Sequence, residues 1–339
     1  MGGRHVAVEP HVPQPDLPAL LAQARGLESL RRATRAAVAR VWLTAVGAAG
    51  AVYLLSGPLL GPFGWFVFLV AAFALLVWAL LRHQSVTRPY REAYKRRVLA
   101  PLVEAVLPGF RHEPEAGLPQ EVYLASRLFP TRPDRYASED RFSGEVAGVP
   151  LTFAEVHAER EHEDCDKDGC RTEYVTIFKG LLAVAEFPKA FSGVVLVYPD
   201  RSERLLGPLS QSLQRLGGRS RGLELIRLED PEFERRFVVF SGDPITARYV
   251  LSTRFMEALR AYRDRYGPLY AAVIDGTLYL ALPTRADLFE PPPLWRRGVD
   301  VRRLKRYAEA LATMRAVVSE LGLDVRIWGE RALGSRKPK

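Results

Sequence analysis

Two uncharged apolar runs dominate the pattern of the chain. Residues 41–60, VWLTAVGAAGAVYLLSGPLL, contain no Asp, Glu, Lys or Arg, and neither do residues 63–81, FGWFVFLVAAFALLVWALL. A bilayer core of ~30 Å needs about 20 helical residues, and both runs have that length. Such runs are rare as buried helices of soluble proteins, the competing reading. The pattern predicts a helical hairpin that crosses a membrane twice, broken between its spans by Gly57, Pro58, Gly61 and Pro62.

The flanks have weaker periodicity. Residues 1–15 show none and read as a disordered N-terminus. From Asp16, a plausible N-cap, Leu17, Leu20, Leu21 and Leu27 recur on one helical face, and this helix runs toward the first span. Residues 86–110, VTRPYREAYKRRVLAPLVEAVLPGF, form a second amphipathic pattern that ends at Pro108-Gly109. It reads as a juxtamembrane helix, in preference to a partner-binding one.

From residue 111 the period changes. A short helix is predicted over 121–129, and two strands over 142–160 around a Gly-Val-Pro turn. Strands follow over 172–187, 193–199 and 236–240. Asp243 and Pro244 are the N-cap and first residue of a helix, and Ser252 or Thr253 caps another. Residues 269–283, LYAAVIDGTLYLALP, carry a hairpin signal at Asp275-Gly276. A long amphipathic helix is predicted over 302–322, closed by Gly322. The fold class is α+β: a transmembrane helical hairpin, then a domain with a mainly antiparallel sheet and a long C-terminal helix. The expected segments are 1–15, a helical region 16–110, a soluble domain 111–325 and a basic tail 326–339.

Charge orients the hairpin. The chain carries a formal net charge of +9. Much of the excess lies beside the spans: Arg25, Arg31, Arg32, Arg35 and Arg40 before the first, and Arg82, Arg88, Arg91, Lys95, Arg96 and Arg97 after the second. The connecting turn has none. Positive flanks stay in the cytoplasm, so the expected placement is multi-pass in the inner membrane with both termini cytoplasmic. The six basic residues after the second span are candidate headgroup contacts, at about 1 kcal/mol each. Trp42, Tyr53, Trp65 and Trp78 stand near or within the span ends, as interfacial aromatics do. The first apolar run starts too late for an ordinary signal peptide, and Val6 breaks the myristoylation pattern. With the basic excess accounted for and no RNA- or DNA-binding signature, nucleic acid is not an expected partner.

Two stretches hold candidate chemistry. His157, His162, Cys165 and Cys170 are all zinc-ligand types, but their spacing is not a familiar zinc spacing. In the same stretch Asp164, Asp166, Asp168 and Gly169 imitate the start of a calcium loop, yet Val175 stands where a bidentate Glu is required. The plainer reading is a charged hairpin tip. It could bring the two cysteines together under oxidising conditions, whereas a cytoplasmic placement predicts reduced thiols. The second stretch, LEDPEFERR, sets Glu229, Asp230, Glu232 and Glu234 around Phe233. It is a candidate interaction surface or, more plainly, a solvated run with local ion pairs. Alternation of Glu and Phe beside a strand predicts Phe233 and Phe237 in the core and Glu232 and Glu234 in water. Phosphate-loop, dinucleotide, zinc-protease and serine-hydrolase motifs are absent. No catalytic residue and no cofactor is assigned.

Residues 227–258, followed by DGTLYLALPTRADLFEP at 275–291, resemble an uncharacterised bacterial family of membrane-anchored proteins, the domain of unknown function numbered 3137. EDRFSGEVAGVPLTFAEVHAE at 139–159, IFKGLLAVAEF at 177–187 and FSGVVLVYPD at 191–200 share the resemblance, in the same order. It covers most of residues 120–295 and extends to the paired apolar spans. It implies a membrane protein with a cytoplasmic domain and carries no activity or catalytic residue. The leading expectation is a non-enzymatic, membrane-anchored interaction or regulatory module with an unknown protein partner, and membrane lipid around its spans. Alternatives are a membrane-tethered hydrolase or transferase with an acidic site, and a small transport or channel subunit. The spans hold no ionisable residue, which weighs against the last.

Overall fold

The computed structural model describes residue 22, residues 25–61, 63–146, 148–166, 169–186, 192–200, 222–284 and 289–296, and positions 302, 304, 305, 307–309, 311, 312 and 315. The expectations for residues 1–15, the start of the helix at Asp16 and the tail 326–339 lie outside the described residues. Two compact units divide the chain, a helical one built on residues 13–105 with 289–308, and a sheet unit built on residues 106–288.

The helical unit is an antiparallel pair, α1 (Leu27–Leu60) and α2 (Phe63–Tyr94). At 1.5 Å per residue each is roughly 50 Å long, well beyond a bilayer core. Small residues let the helices approach: Ala45 and Ala79 are buried between them with Val41, and Trp42 and Val86 close the contact. The turn departs from the expected break. α1 continues through Gly57 and Pro58, and the chain reverses at Gly61, whose φ of +55° only glycine adopts cheaply. Pro58 removes a single backbone donor, too little to end a helix in a largely apolar run. The juxtamembrane helix is also no separate element. α2 passes through Pro89, a π-turn spans Lys95–Leu99, and α3 (Ala100–Val106) follows without a gap. The π-turn adds one residue to a turn and shifts the helical register without ending the helix.

The sheet unit holds nine described strands, all antiparallel, in the order β1-β2-β3-β4-β9-β8-β5-β7-β6. They are β1 (Arg111–Glu113), β2 (Arg135–Val146), β3 (Val149–Asp166), β4 (Gly169–Glu186), β5 (Val194–Pro199), β6 (Glu224–Ile226), β7 (Phe237–Ser241), β8 (Tyr270–Ile274) and β9 (Thr277–Pro283). The turn between β2 and β3 lies one step earlier than expected. Gly148 takes a φ of +83°, and Val149 and Pro150 already belong to β3, opposite Val146 and Glu145. β8 and β9 turn at Asp275 and Gly276, both with positive φ, as an Asp-Gly turn requires. The predicted helix at 121–129 is shorter, α4 (Gln120–Ala125).

Strands β5, β8 and β9 are buried on both faces along most of their length. That is why VVLVY and LYLAL are continuous apolar runs where a half-exposed antiparallel strand alternates. One face packs on an aromatic cluster. Phe129 lies 5.3 Å from Tyr123, 4.8 Å from Phe178 and 5.6 Å from Tyr270, ring centre to ring centre. Tyr198 donates from its hydroxyl to the Leu128 carbonyl at 3.1 Å, which ties the segment after α4 to β5.

Three short helices complete the described sheet unit: α5 (Pro231–Glu234), α6 (Pro244–Val250) and α7 (Thr253–Tyr266). The caps of α6 and α7 are those read from sequence, whereas α5 was not expected. The Ser252 hydroxyl accepts from Phe255 N at 3.4 Å, and Asp243 accepts from Thr246 N at 2.7 Å and the Thr246 hydroxyl at 2.8 Å. These bonds hold the Asp243 carboxyl below the usual range, with the Thr246 backbone N–H as the main cause. A group with a depressed folded-state pKa stabilises fully above its unfolded pKa of ~3.9, and the contribution is lost as pH falls through the folded value. The melting temperature of the protein should therefore exceed that of Asp243→Asn by a constant gap near neutrality. The gap should close on acidification below about pH 4; one that stays open would assign the effect to something other than the charge. Of the helix expected over 302–322, the described positions 302, 304, 305, 307–309, 311, 312 and 315 are helical. Positions from 316 onward lie outside the described residues.

Candidate functional site

A cavity of about 360 Å³ opens in the helical unit. α1 contributes Arg35, Val38 and Ala39, and α2 contributes His83, Thr87, Tyr90 and Arg91. Steps of three and four put each set on one helical face. The third wall is Glu290–Trp295, an irregular segment with three consecutive prolines. Proline fixes φ, so this wall has little freedom to lose. It is also pinned. Arg91 grips the Glu290 carboxylate at 2.8 and 2.9 Å, and Lys95 approaches it at 3.3 Å. The Tyr307 hydroxyl donates to the Glu290 carbonyl at 3.0 Å, and Arg31 donates to the Leu294 carbonyl. Arg31 also bonds Glu28 at 2.7 and 2.8 Å, which holds that carboxyl down at about 2.

Trp42 donates from its indole nitrogen to His83 Nδ1 at 3.3 Å, with the rings edge to face. The contact fixes the imidazole beside the cavity. Arg35 has no hydrogen-bond or ion-pair partner among the described residues, and Trp295 is 75% exposed. The lining thus holds two guanidiniums against one carboxylate, with Arg35 as the unspent charge.

The six basic residues expected at headgroups divide into two groups. Arg82, Arg96 and Arg97 are exposed. Arg88 pairs with Glu92 at 2.8 Å, while Arg91 and the buried Lys95 converge on Glu290. Arg35 counted only as a positive flank in sequence, and His83 and Trp295 drew no notice. The Pro-Pro-Pro-Leu-Trp run was the available signal, but nothing local says which helices it meets.

The acidic run is spent within the fold. Asp230 caps α5, accepting from Glu232 N at 2.9 Å and Phe233 N at 3.1 Å, and Arg260 approaches it at 3.4 Å. Glu232 pairs with Arg235 at 2.7 Å and Arg236 at 2.9 Å, and Arg236 also binds Asp264 at 2.8 Å. Glu234 accepts from Leu228 N at 2.8 Å; Glu229 is exposed. Phe233 and Phe237 are buried and stacked at 4.8 Å. The alternation that suggested this was the wrong period, because residues 231–234 form a helical turn.

The Cys/His stretch lies on the β3–β4 ribbon. His157 sits 3.4 Å from Glu159, and its ring is 3.4 Å from the Thr176 hydroxyl. His162 is exposed, five residues further on, so the two imidazoles stand roughly 17 Å apart along the strand and on opposite faces. The expected reduced thiol at position 170 is corrected: Cys170 is disulfide-bonded. Cys165 stands directly across the ladder from it, and opposite residues lie about 4.5–5.5 Å apart at Cα, within disulfide reach.

One buried polar pair had no signal in sequence. His112 on β1 meets Asp140 at 2.9 Å, and its ring stacks on Phe142 at 4.3 Å. Asp140 is fully buried, with a φ of +55°, at the bulge in β2. The imidazole faces the carboxylate through Nε2, and the pair fastens the edge strand to the bulge.

No curated protein matches the chain. The crystal structure of the mycobacterial trehalose monomycolate transport factor A, TtfA, matches over 60% of this chain and 88% of that one. Identity is 11% and the TM-score 0.32, a likeness at which no property transfers. The family model described as Protein of unknown function (DUF3137) matches residues 176–323, from β4 through β9 and into the helical positions after 302. That segment is similar to the DUF3137 family of proteins of unknown function.

Proposed function

We propose that the protein is a membrane-anchored interaction or regulatory module. In this reading α1 and α2 cross the bilayer, both termini lie in the cytoplasm, and the sheet unit recruits a protein partner there. The carrying observation is the exposure of the helical pair. Leu43 is 71% exposed, Leu54 70% and Phe73 68%, on helices long and apolar enough to cross a membrane. An aqueous surface of that kind is unfavourable by roughly 25 cal/mol per Å², and lipid removes the cost. An interaction role is favoured over hydrolysis because Asp230, Glu232 and Glu234 are engaged in caps and ion pairs rather than aimed into a cleft.

The Cys170 disulfide favours the opposite orientation, because disulfides persist in oxidising compartments. The flanking charge outweighs it, with basic residues beside both outer span ends and none in the turn. A reporter active only outside the cytoplasm, fused at Gly61, should be active. The same reporter at either terminus should be silent. Activity at a terminus would reverse the orientation, and a chain released from membranes by carbonate would end the anchoring reading.

A further inference from the structure

We propose that the cavity between Arg35, His83 and the Pro291–Trp295 wall holds the headgroup of an anionic phospholipid, with Arg35 as its charge partner. The inference rests on the membrane-anchored reading and adds to it a ligand class and a site.

Depth is the first ground. The uncharged part of α1 begins after Arg40, and that of α2 ends before Arg82. The Trp42–His83 contact puts these two ends at one height. The apolar slab therefore stops at Arg40 and Arg82. The headgroup layer adds about 5–8 Å on each side of the ~30 Å core. At 1.5 Å per residue His83 and Thr87 lie about 2–8 Å beyond Arg82, within that layer. Arg91 lies about 14 Å beyond it, at the floor of the cavity. A headgroup in the adjoining leaflet reaches the mouth without leaving its own depth.

Chemistry is the second. Arg91 is neutralised by Glu290, whereas Arg35 faces the cavity with no partner among the described residues. A guanidinium matches two phosphate oxygens at once. Opposite it stands an apolar wall of prolines and Leu294, ending in Trp295. A free phosphate gains nothing from such a wall. The glycerol backbone and first acyl carbons of a lipid do, and an exposed tryptophan is the side chain that favours this depth.

The test uses the full chain purified in mild detergent, with bound phosphatidylglycerol read by native mass spectrometry. One phosphatidylglycerol is expected to be retained in preference to phosphatidylcholine. Arg35→Gln should weaken retention about tenfold, or ~1.4 kcal/mol, and Arg35→Lys should recover most of it. Arg40→Gln, an exposed change outside the cavity lining, should have no effect. Equal retention by Arg35→Gln and the unaltered chain overturns the site, as does equal retention of the two lipids. Inorganic phosphate that displaces the lipid at matched concentration would also overturn it, making this a free-anion site. Carbonate extraction and the topology reporter, run on the same variants, separate these outcomes from failure of the anchoring reading.

Discussion

Phe233→Ala is expected to lower the stability of the sheet unit by about 3–5 kcal/mol, the usual result of deleting a buried phenyl ring. Phe233 is fully buried and stacks on Phe237, and Arg263 lies over the Phe237 ring at 5.4 Å. α5 meets both β7 and α7 at this point, so the ring joins three elements. A typical domain has only ~5–15 kcal/mol in hand, and the loss should appear as a large drop in the urea midpoint of the detergent-solubilised chain. The neighbours bracket the effect. Glu232 is exposed and its ion pairs lie at the surface, so Glu232→Ala should change stability by about 0–1 kcal/mol. Glu234→Ala removes the acceptor for Leu228 N and should fall between, at about 0.5–1.5 kcal/mol. An unchanged midpoint in Phe233→Ala would mean that the segment is not seated in the core.

That segment shows which parts of the fold can be read from sequence. Burial of Phe233 and Phe237 was legible because hydrophobicity was the signal. The conformation was not, because Glu-Phe-Glu fits a strand as well as a single helical turn, and only the Asp230-Pro231 cap distinguishes them. Local chemistry served where one conformation requires it: Asp275-Gly276 for the turn, Asp243-Pro244 for the cap. It failed where two partners share the cost. Gly57-Pro58 did not end α1, because its largely apolar surroundings keep the helix as the better-bonded state, and α2 likewise runs on through Pro89. The cavity was legible only in halves. Helical spacing gathers Arg35 with Val38 and Ala39, and His83 with Thr87 and Arg91. The third wall comes from residues about 200 positions later, and no local rule reaches that far. Asp140 is the extreme case: its partner, bulge and positive φ all depend on a sheet register that local sequence does not specify.

Gly180→Ala is expected to disrupt the sheet where its two halves join. β4 pairs with β3 on one side and β9 on the other, and β4–β9 is the sole link between β1–β4 and the remaining described strands. Gly180 lies opposite Pro283 at the last step of that link, with a φ of +157°, and Thr284 N donates to the Lys179 carbonyl at 2.8 Å just beyond it. A Cβ here would fall on the Leu282 carbonyl oxygen, far inside van der Waals contact. A flexible side chain could move aside; a backbone carbonyl in a ladder cannot without parting the strands. Overpacking costs about 1–3 kcal/mol, and holding alanine at such a φ about 1–3 more. Gly276→Ala supplies the comparison. Its φ is +79° but nothing lies within 4 Å, so only the left-handed conformation is charged against it, about 1–2 kcal/mol. In urea titrations of the full chain Gly180→Ala should therefore unfold well before Gly276→Ala, with lower recovery of folded protein. If the two variants unfold together, no carbonyl stands against Gly180, and β4 and β9 do not meet in the register drawn here.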